Sequence, residues 1–365
     1  MLSTIPTNEN IADIKPYLPG KPIEEVQREL GLANIVKLAS NENNWGLPEK
    51  IISELSETLK QLYRYPDGGA VALRSKLAAK LHLSKKQIVM GNGSDELLQI
   101  IALTYLNPDV EALISEGTFS EYKFVCKVVN CPTVQIPLKN YTYDLDGFHS
   151  QISPKTRAIF LCNPNNPTGT YIDEKRLRLF LSKVPSNVVV IIDEAYYEYA
   201  YGDDYPESVM LLSKYNNIIV LRTFSKIWSL AGLRLGYALA AENIIQNLNK
   251  ARQPFNANRL ALDAALLVLD QEKYMQNIKE KNSLERSKMI KKLKLMGLDV
   301  LDSRANFVFI NTPIPAQKIF KKLLAKGIII RAMDGFGFKN SIRVSIGLPE
   351  ENDLFIKELK GVLEL

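Results

Sequence analysis

The stretch VVVIIDEAY, residues 188–196, decides the fold of this chain. Its first five residues are all β-branched, with no polar alternation. Such a run predicts a strand covered on both faces, as in a parallel sheet flanked by helices. Residues 218–221 repeat the signal. Working outward, further strands are predicted at residues 87–90, 112–115, 133–136 and 158–161. A helix is predicted at residues 97–105. Strands separated by helical stretches predict an α/β chain with a mainly parallel sheet.

The texture changes after Gly236. Residues 243–296 read as largely helical, interrupted by Pro254, and strands follow at 306–310 and 342–346 around a helix at 316–325. This predicts a smaller α+β domain. The expected organisation is an arm over residues 1–40 that joins the small domain, a large domain over 41–260 and a small domain over 261–365. In the arm, a helix is expected at residues 23–30, after the run of Pro16, Pro19, Gly20 and Pro22.

The bulk numbers exclude several classes. The chain has 365 residues, which suits two domains better than one small core. It carries 46 Lys and Arg against 40 Asp and Glu, a net charge of +6. The basic residues are scattered. The densest group, Lys291, Lys292 and Lys294, reads as a solvated helix face, so no nucleic-acid partner is expected. Cys126, Cys131 and Cys162 are odd in number and form no CxxC, which points to neither a disulfide framework nor a metal site. A reducing, cytoplasmic setting is expected. Residues 1–10 have neither a basic start nor an apolar core of a signal peptide. No apolar run reaches the roughly 18 residues of a membrane helix. With only two histidines, acid–base work is expected from Lys, Asp, Tyr or a cofactor.

Polar residues follow the predicted strands repeatedly, and that edge is where ligands bind in an open α/β sheet. Asp193 ends the β-branched run. A buried carboxylate is costly unless paired. It reads either as a helix cap or as the counter-ion of a buried cation such as a protonated pyridine nitrogen. Tyr196, three residues on, could reach the same ligand. In RTFSKIWSLAGLRLG, residues 222–236, Thr223, Ser225 and Arg234 can bind phosphate. Lys226 among them is either an exposed lysine or a Schiff-base amine, which needs a lowered pKa that nearby Arg234 would favour. In GNGSDELL, residues 91–98, Gly93 permits a tight turn and the N–H groups of Ser94 and Asp95 can point at an anion. A plain turn capped by Asp95 is the alternative. In NPNNPTG, residues 163–169, Asn166 is either part of a loop stiffened by prolines or an amide held to bond a ring oxygen.

Taken in this order, the motifs resemble the fold-type-I pyridoxal-phosphate (PLP) aminotransferases: Gly-rich loop, N-P-T-G, D-E-A-Y, S-K and R-x-G. The likeness runs over about residues 16–347. Within that class, the chain is most similar to histidinol-phosphate aminotransferases. PYLPGKPIEEVQRELG (16–31), KLASNEN (37–43), RYPD (64–67), GIIIRA (327–332) and IRVSIG (342–347) carry that likeness.

The resemblance implies a large PLP-binding domain, a small domain, and roles for particular residues. Lys226 would bind the cofactor and move a proton. Asp193 would pair with the ring nitrogen, and Tyr196 and Asn166 with the phenolic oxygen. Phe119, in EGTFSEY, would stack on the ring. Gly93, Ser94, Asp95, Thr223, Ser225 and Arg234 would form the phosphate cup. Tyr65 would reach the phosphate of a neighbouring subunit, which implies a homodimer. Tyr17, Arg331 and Arg343, with Asn166, would bind substrate. The implied substrates are glutamate and 2-oxoglutarate on one side, histidinol phosphate and imidazole-acetol phosphate on the other. An aromatic-amino-acid aminotransferase and a threonine-phosphate decarboxylase share the pattern. NENNWG, residues 41–46, departs from it, since the family usually has Pro after NEN. That departure bears on the substrate wall.

Overall fold

The computed structural model describes residues 5, 7–12, 14, 22–32 and 34–364. Among them, seven strands form a large sheet. These are β1 (Ile88–Gly91), β2 (Glu111–Ser115), β3 (Thr133–Ile136), β4 (Thr156–Cys162), β5 (Val189–Asp193), β6 (Ile218–Thr223) and β7 (Gly236–Ala240). Their order across the sheet is β1-β7-β6-β5-β4-β2-β3. The five strands from β6 to β3 pair in parallel. Every residue of β5 and β6 is buried, as their unbroken apolar pattern requires. The fold is therefore the α/β architecture expected, with a mainly parallel sheet.

β7 differs from expectation. It pairs antiparallel with both β6 and β1, in a stretch ahead of the expected helical residues 243–296 to which the sequence assigned no element. Its residues, GYALA, carry no β-branched signal. Gly236 is required at its start. A Cβ there would lie 2.7 Å from the backbone nitrogen of Ser94. The helix α1 (Gly93–Tyr105) also begins a turn earlier than predicted, at the glycine itself.

Beyond β7 come α2 (Arg259–Val268) and the long helix α3 (Glu272–Leu295). α2 buries Ala261, Ala264 and Ala265 in the core of the large sheet. A second sheet has the order β10-β11-β9-β8, built from β8 (Asp299–Val300), β9 (Phe307–Asn311), β10 (Arg331–Ala332) and β11 (Ser341–Ser345). Its pairings are antiparallel. Its own core includes Leu38, Met289, Val308 and Phe355. The segment Val36–Lys37 pairs in parallel with Ile328–Ile329, and Val26 of the preceding helix packs on Ala39 and Ile329. The basic group on α3 is a solvated face: Lys292 and Lys294 pair with Asp353 and Asp302.

Candidate active site

The register sets the floor of one cleft. Cys162 is opposite Asp193 between β4 and β5, and Asp193 is opposite Leu221 between β5 and β6. The carboxyl ends of these three strands therefore sit side by side. The N-terminus of α1, the loop after β6, residues 39–41 and the β10–β11 edge close around them. The cleft brings together Ser94, Asp95, Phe119, Asn166, Asp193, Tyr196, Thr223, Ser225, Lys226, Arg234, Arg331 and Arg343. Tyr17 lies outside the described residues.

At one end, α1 offers the unbonded N–H groups and positive dipole of a helix start. Asp95 does not cap this helix. It pairs with Arg234 at 3.0 Å, while Glu96 accepts from the Asn92 backbone N–H at 2.6 Å. Arg234 also donates to Ser225 Oγ at 3.3 Å. Gly93 has φ +80°, and a Cβ there would lie 2.5 Å from Arg234 Nη2. The glycine thus makes room for the guanidinium. The Thr223 hydroxyl is tied to its own turn, donating to Leu235 O and accepting from Ser225 N. It lines the cleft while shaping the loop that carries Lys226.

Lys226 sits mid-cleft, its Nζ donating to Ser40 O at 3.2 Å and 5.7 Å from the centre of the Tyr196 ring. Desolvation lowers its ammonium to about 8, and the next cause is Arg343. Arg234, the sequence neighbour expected to do this, contributes less. Asp193 is 2% exposed. It accepts from the Tyr122 hydroxyl at 2.8 Å and from Ala195 N at 3.1 Å. Burial pushes it up to about 6. Among the described residues it has no ion-pair partner within 4 Å; its two hydrogen bonds and the more distant Lys226 offset its burial only in part.

Tyr196 is buried, and its hydroxyl accepts from Asn41 Nδ2 at 2.8 Å. The Asn166 side-chain oxygen accepts from Arg343, so a contact from Asn166 to a ligand oxygen would use its NH2 group. Arg343 also donates to Ala39 O at 2.6 Å. Phe119 meets Tyr122 edge to face at 5.6 Å. Tyr65 stands apart from the cleft. It is 80% exposed and stacks on Phe255 with ring centres 4.7 Å apart. Asn44 and Trp45 are not among the residues that line the cleft. Asn44 donates to Glu351 at 2.7 Å, and Trp45 packs against the cores of both sheets.

Three contributors had no role assigned from sequence. Tyr122 lies three residues after Phe119, at the start of the helix Glu121–Val128, a spacing close enough to suggest a shared site. Asn41 lies within the NEN motif, but its partners are far away in sequence. Ser40 acts through its carbonyl, which no side-chain pattern reveals.

Residues 33–359 match the family model described as aminotransferase class I and II. A histidinol-phosphate aminotransferase 2 of Carboxydothermus hydrogenoformans is 44% identical, covering 97% of this chain and 98% of the relative. A histidinol-phosphate aminotransferase of Bacillus subtilis is 42% identical, covering 97% and 99%. Among solved structures, a histidinol-phosphate aminotransferase from Sinorhizobium meliloti in complex with pyridoxal-5'-phosphate superposes with a TM-score of 0.91. It is 26% identical, covering 100% of this chain and 99% of that one. The cleft and these likenesses over nearly the whole length lead to one assignment: the chain belongs to the class I and II aminotransferases, in their histidinol-phosphate branch.

Proposed function

We propose that this chain transfers an amino group from glutamate to imidazole-acetol phosphate, giving 2-oxoglutarate and histidinol phosphate, with PLP as cofactor. The residues present fit PLP. Asp193 is a buried carboxylate without an ion-pair partner among the described residues, suited to a pyridinium nitrogen. Arg234, Ser225 and the start of α1 suit its phosphate. Lys226 suits its aldehyde, and Phe119 its ring face. When bound, PLP supplies a carbonyl that condenses with amines and a ring that draws electrons from the substrate's Cα.

The remaining work falls to side chains of the chain. Lys226 Nζ, held near 8, has a neutral form available near physiological pH to take the Cα proton and return it two bonds away, on the carbon of the cofactor's carbonyl group. Tyr196 and Asn166 orient the ring oxygen. Arg343 holds the carboxylate of glutamate. Arg331 and Tyr17 add the charge and hydroxyl that a phosphate needs. Tyr65 belongs to the site of a second subunit, so the proposed working unit is a homodimer. A cytoplasmic setting is part of the same reading, supported by three buried free thiols.

The observation that carries the substrate reading is the presence of both Arg331 and Arg343 at the cleft that holds Lys226. The test is steady-state kinetics with glutamate as donor. The highest kcat/KM is expected with imidazole-acetol phosphate. A higher value with phenylpyruvate would assign an aromatic aminotransferase instead, and carbon dioxide release from threonine phosphate a decarboxylase.

A further inference from the structure

We infer that Asn41 is a positioning residue that sets the direction of the Tyr196 hydroxyl, turning its proton toward the cleft. The inference rests on the role proposed above for Tyr196.

Asn41 is 1% exposed and has φ +55°, a left-handed conformation that Asn tolerates better than most residues. Its amide is oriented by one neighbour. The Asn41 backbone N–H donates to Ser345 Oγ at 2.9 Å, and Ser345 Oγ lies 3.2 Å from Asn41 Oδ1. That serine hydroxyl accepts from the backbone and donates its single proton to Oδ1. The amide oxygen therefore faces Ser345, and the NH2 group must face Tyr196, at 2.8 Å. An NH2 group only donates. Tyr196 must accept, and its own proton has to point elsewhere.

Tyr196 lines the cleft beside Lys226. Burial raises its phenol above the usual range; Arg343 and the Asn41 bond both pull it back down. The amide also joins the two sheets. Ser345 lies on β11 with Arg343, and Tyr196 follows β5. A carboxylate at position 41 would reverse the polarity. It would accept the tyrosine proton and withdraw it from the cleft.

The test is a pH titration of the visible absorbance of the PLP-loaded enzyme. A donor to the cofactor's ring oxygen weakens that oxygen's hold on the neighbouring proton and so lowers the midpoint. Asn41→Asp is expected to raise the midpoint by roughly one pH unit, the equivalent of one hydrogen bond. Tyr196→Phe should raise it by the same amount, and the double variant no further. Additive shifts overturn the inference, because a carboxylate acting through its charge alone would produce them. So does an unchanged midpoint in Asn41→Asp beside a shifted Tyr196→Phe. An unchanged midpoint in Tyr196→Phe removes the reading of Tyr196 itself, and this inference with it. If Asn41→Asp fails to fold, Ser345→Ala takes its place: loss of the orienting donor should move the midpoint upward, and a wild-type midpoint overturns the inference.

Discussion

Arg331 and Arg343 are direct register partners across the antiparallel pair β10 and β11. Side chains of opposed residues share a sheet face, and both guanidiniums line the cleft. Like charges in opposed positions cost stability, and an anion bound in the cleft would offset that cost. Arg343 is 6% exposed and anchored by Asn166 and Ala39, as a carboxylate site should be. Arg331 →Gln is expected to raise KM for histidinol phosphate about 10–100-fold, the loss of one charged hydrogen bond. KM for glutamate should change far less. Measuring the two half-reactions separately checks this, and equal losses on both would count against a phosphate role for Arg331.

Asp193 gives a prediction about the cofactor-free protein. Burial raises its carboxyl from 3.8 to about 6. The folded chain therefore binds this proton more tightly than the unfolded chain. The cost to stability is fully present above about pH 6, fades as pH falls from 6 toward 3.8, and is absent below that. Its size is on the order of 3 kcal/mol. Asp193→Asn should raise the melting temperature of the cofactor-free protein at pH 7.5 and lose that advantage near pH 4. The same variant should bind PLP more weakly, because the ring nitrogen loses its counter-ion. Thermal melts at both pH values, with and without PLP, separate the two effects. A destabilised cofactor-free variant at pH 7.5 would contradict the assignment of Asp193 as an uncompensated buried charge.

The difference between what sequence discloses and what it hides follows from distance along the chain. β5 and β6 were readable because burial on both faces leaves no polar alternation, and Asp193 stood out because a carboxylate ends such a run. β7 was not, since it has no β-branched residue and its pairing with β6 and β1 is set by tertiary contacts. The partners that tune the site are far apart: Tyr122 and Asp193 are separated by 71 residues, Asn41 and Tyr196 by 155. Sequence proximity also pointed to only the weaker of two cations for Lys226. Arg234 is near it in the chain, yet Arg343, on the other sheet, lowers its pKa more. Motifs locate single groups; the fields acting on them come from elements that only folding brings together.

Gly93→Ala probes the phosphate end. A Cβ at this position meets Arg234 Nη2, and φ +80° is a conformation alanine adopts only with strain. The guanidinium is the flexible partner, so it should yield by leaving Asp95 and Ser225. The folded protein is expected to survive, at a cost of about 1–2 kcal/mol. PLP affinity should fall at least about tenfold, the loss of one charge-assisted contact. Fluorescence titration of the cofactor-free variant with PLP measures it. Unchanged affinity would mean that Arg234 does not hold the phosphate.

Tyr65 provides the test of the homodimer. It is 80% exposed, stacks on half-exposed Phe255, and lies near Leu62 and Tyr63, which are also exposed. The proposed dimer would cover these exposed apolar residues. If Tyr65 serves the partner's site, then Lys226 and Tyr65 of one active site come from different chains. Lys226→Ala alone should be inactive and lack the absorbance of lysine-bound PLP. Tyr65→Ala alone should be impaired in both sites. Mixing the two variants and letting subunits exchange gives dimers in which one site carries both defects and the other carries neither. Random exchange makes half of the dimers mixed, each with one intact site, so about a quarter of wild-type activity should appear. Tagging the subunits differently and purifying the mixed dimer raises that to about half. Mixed dimers no more active than the average of their parents would place Tyr65 in its own chain's site, or in none.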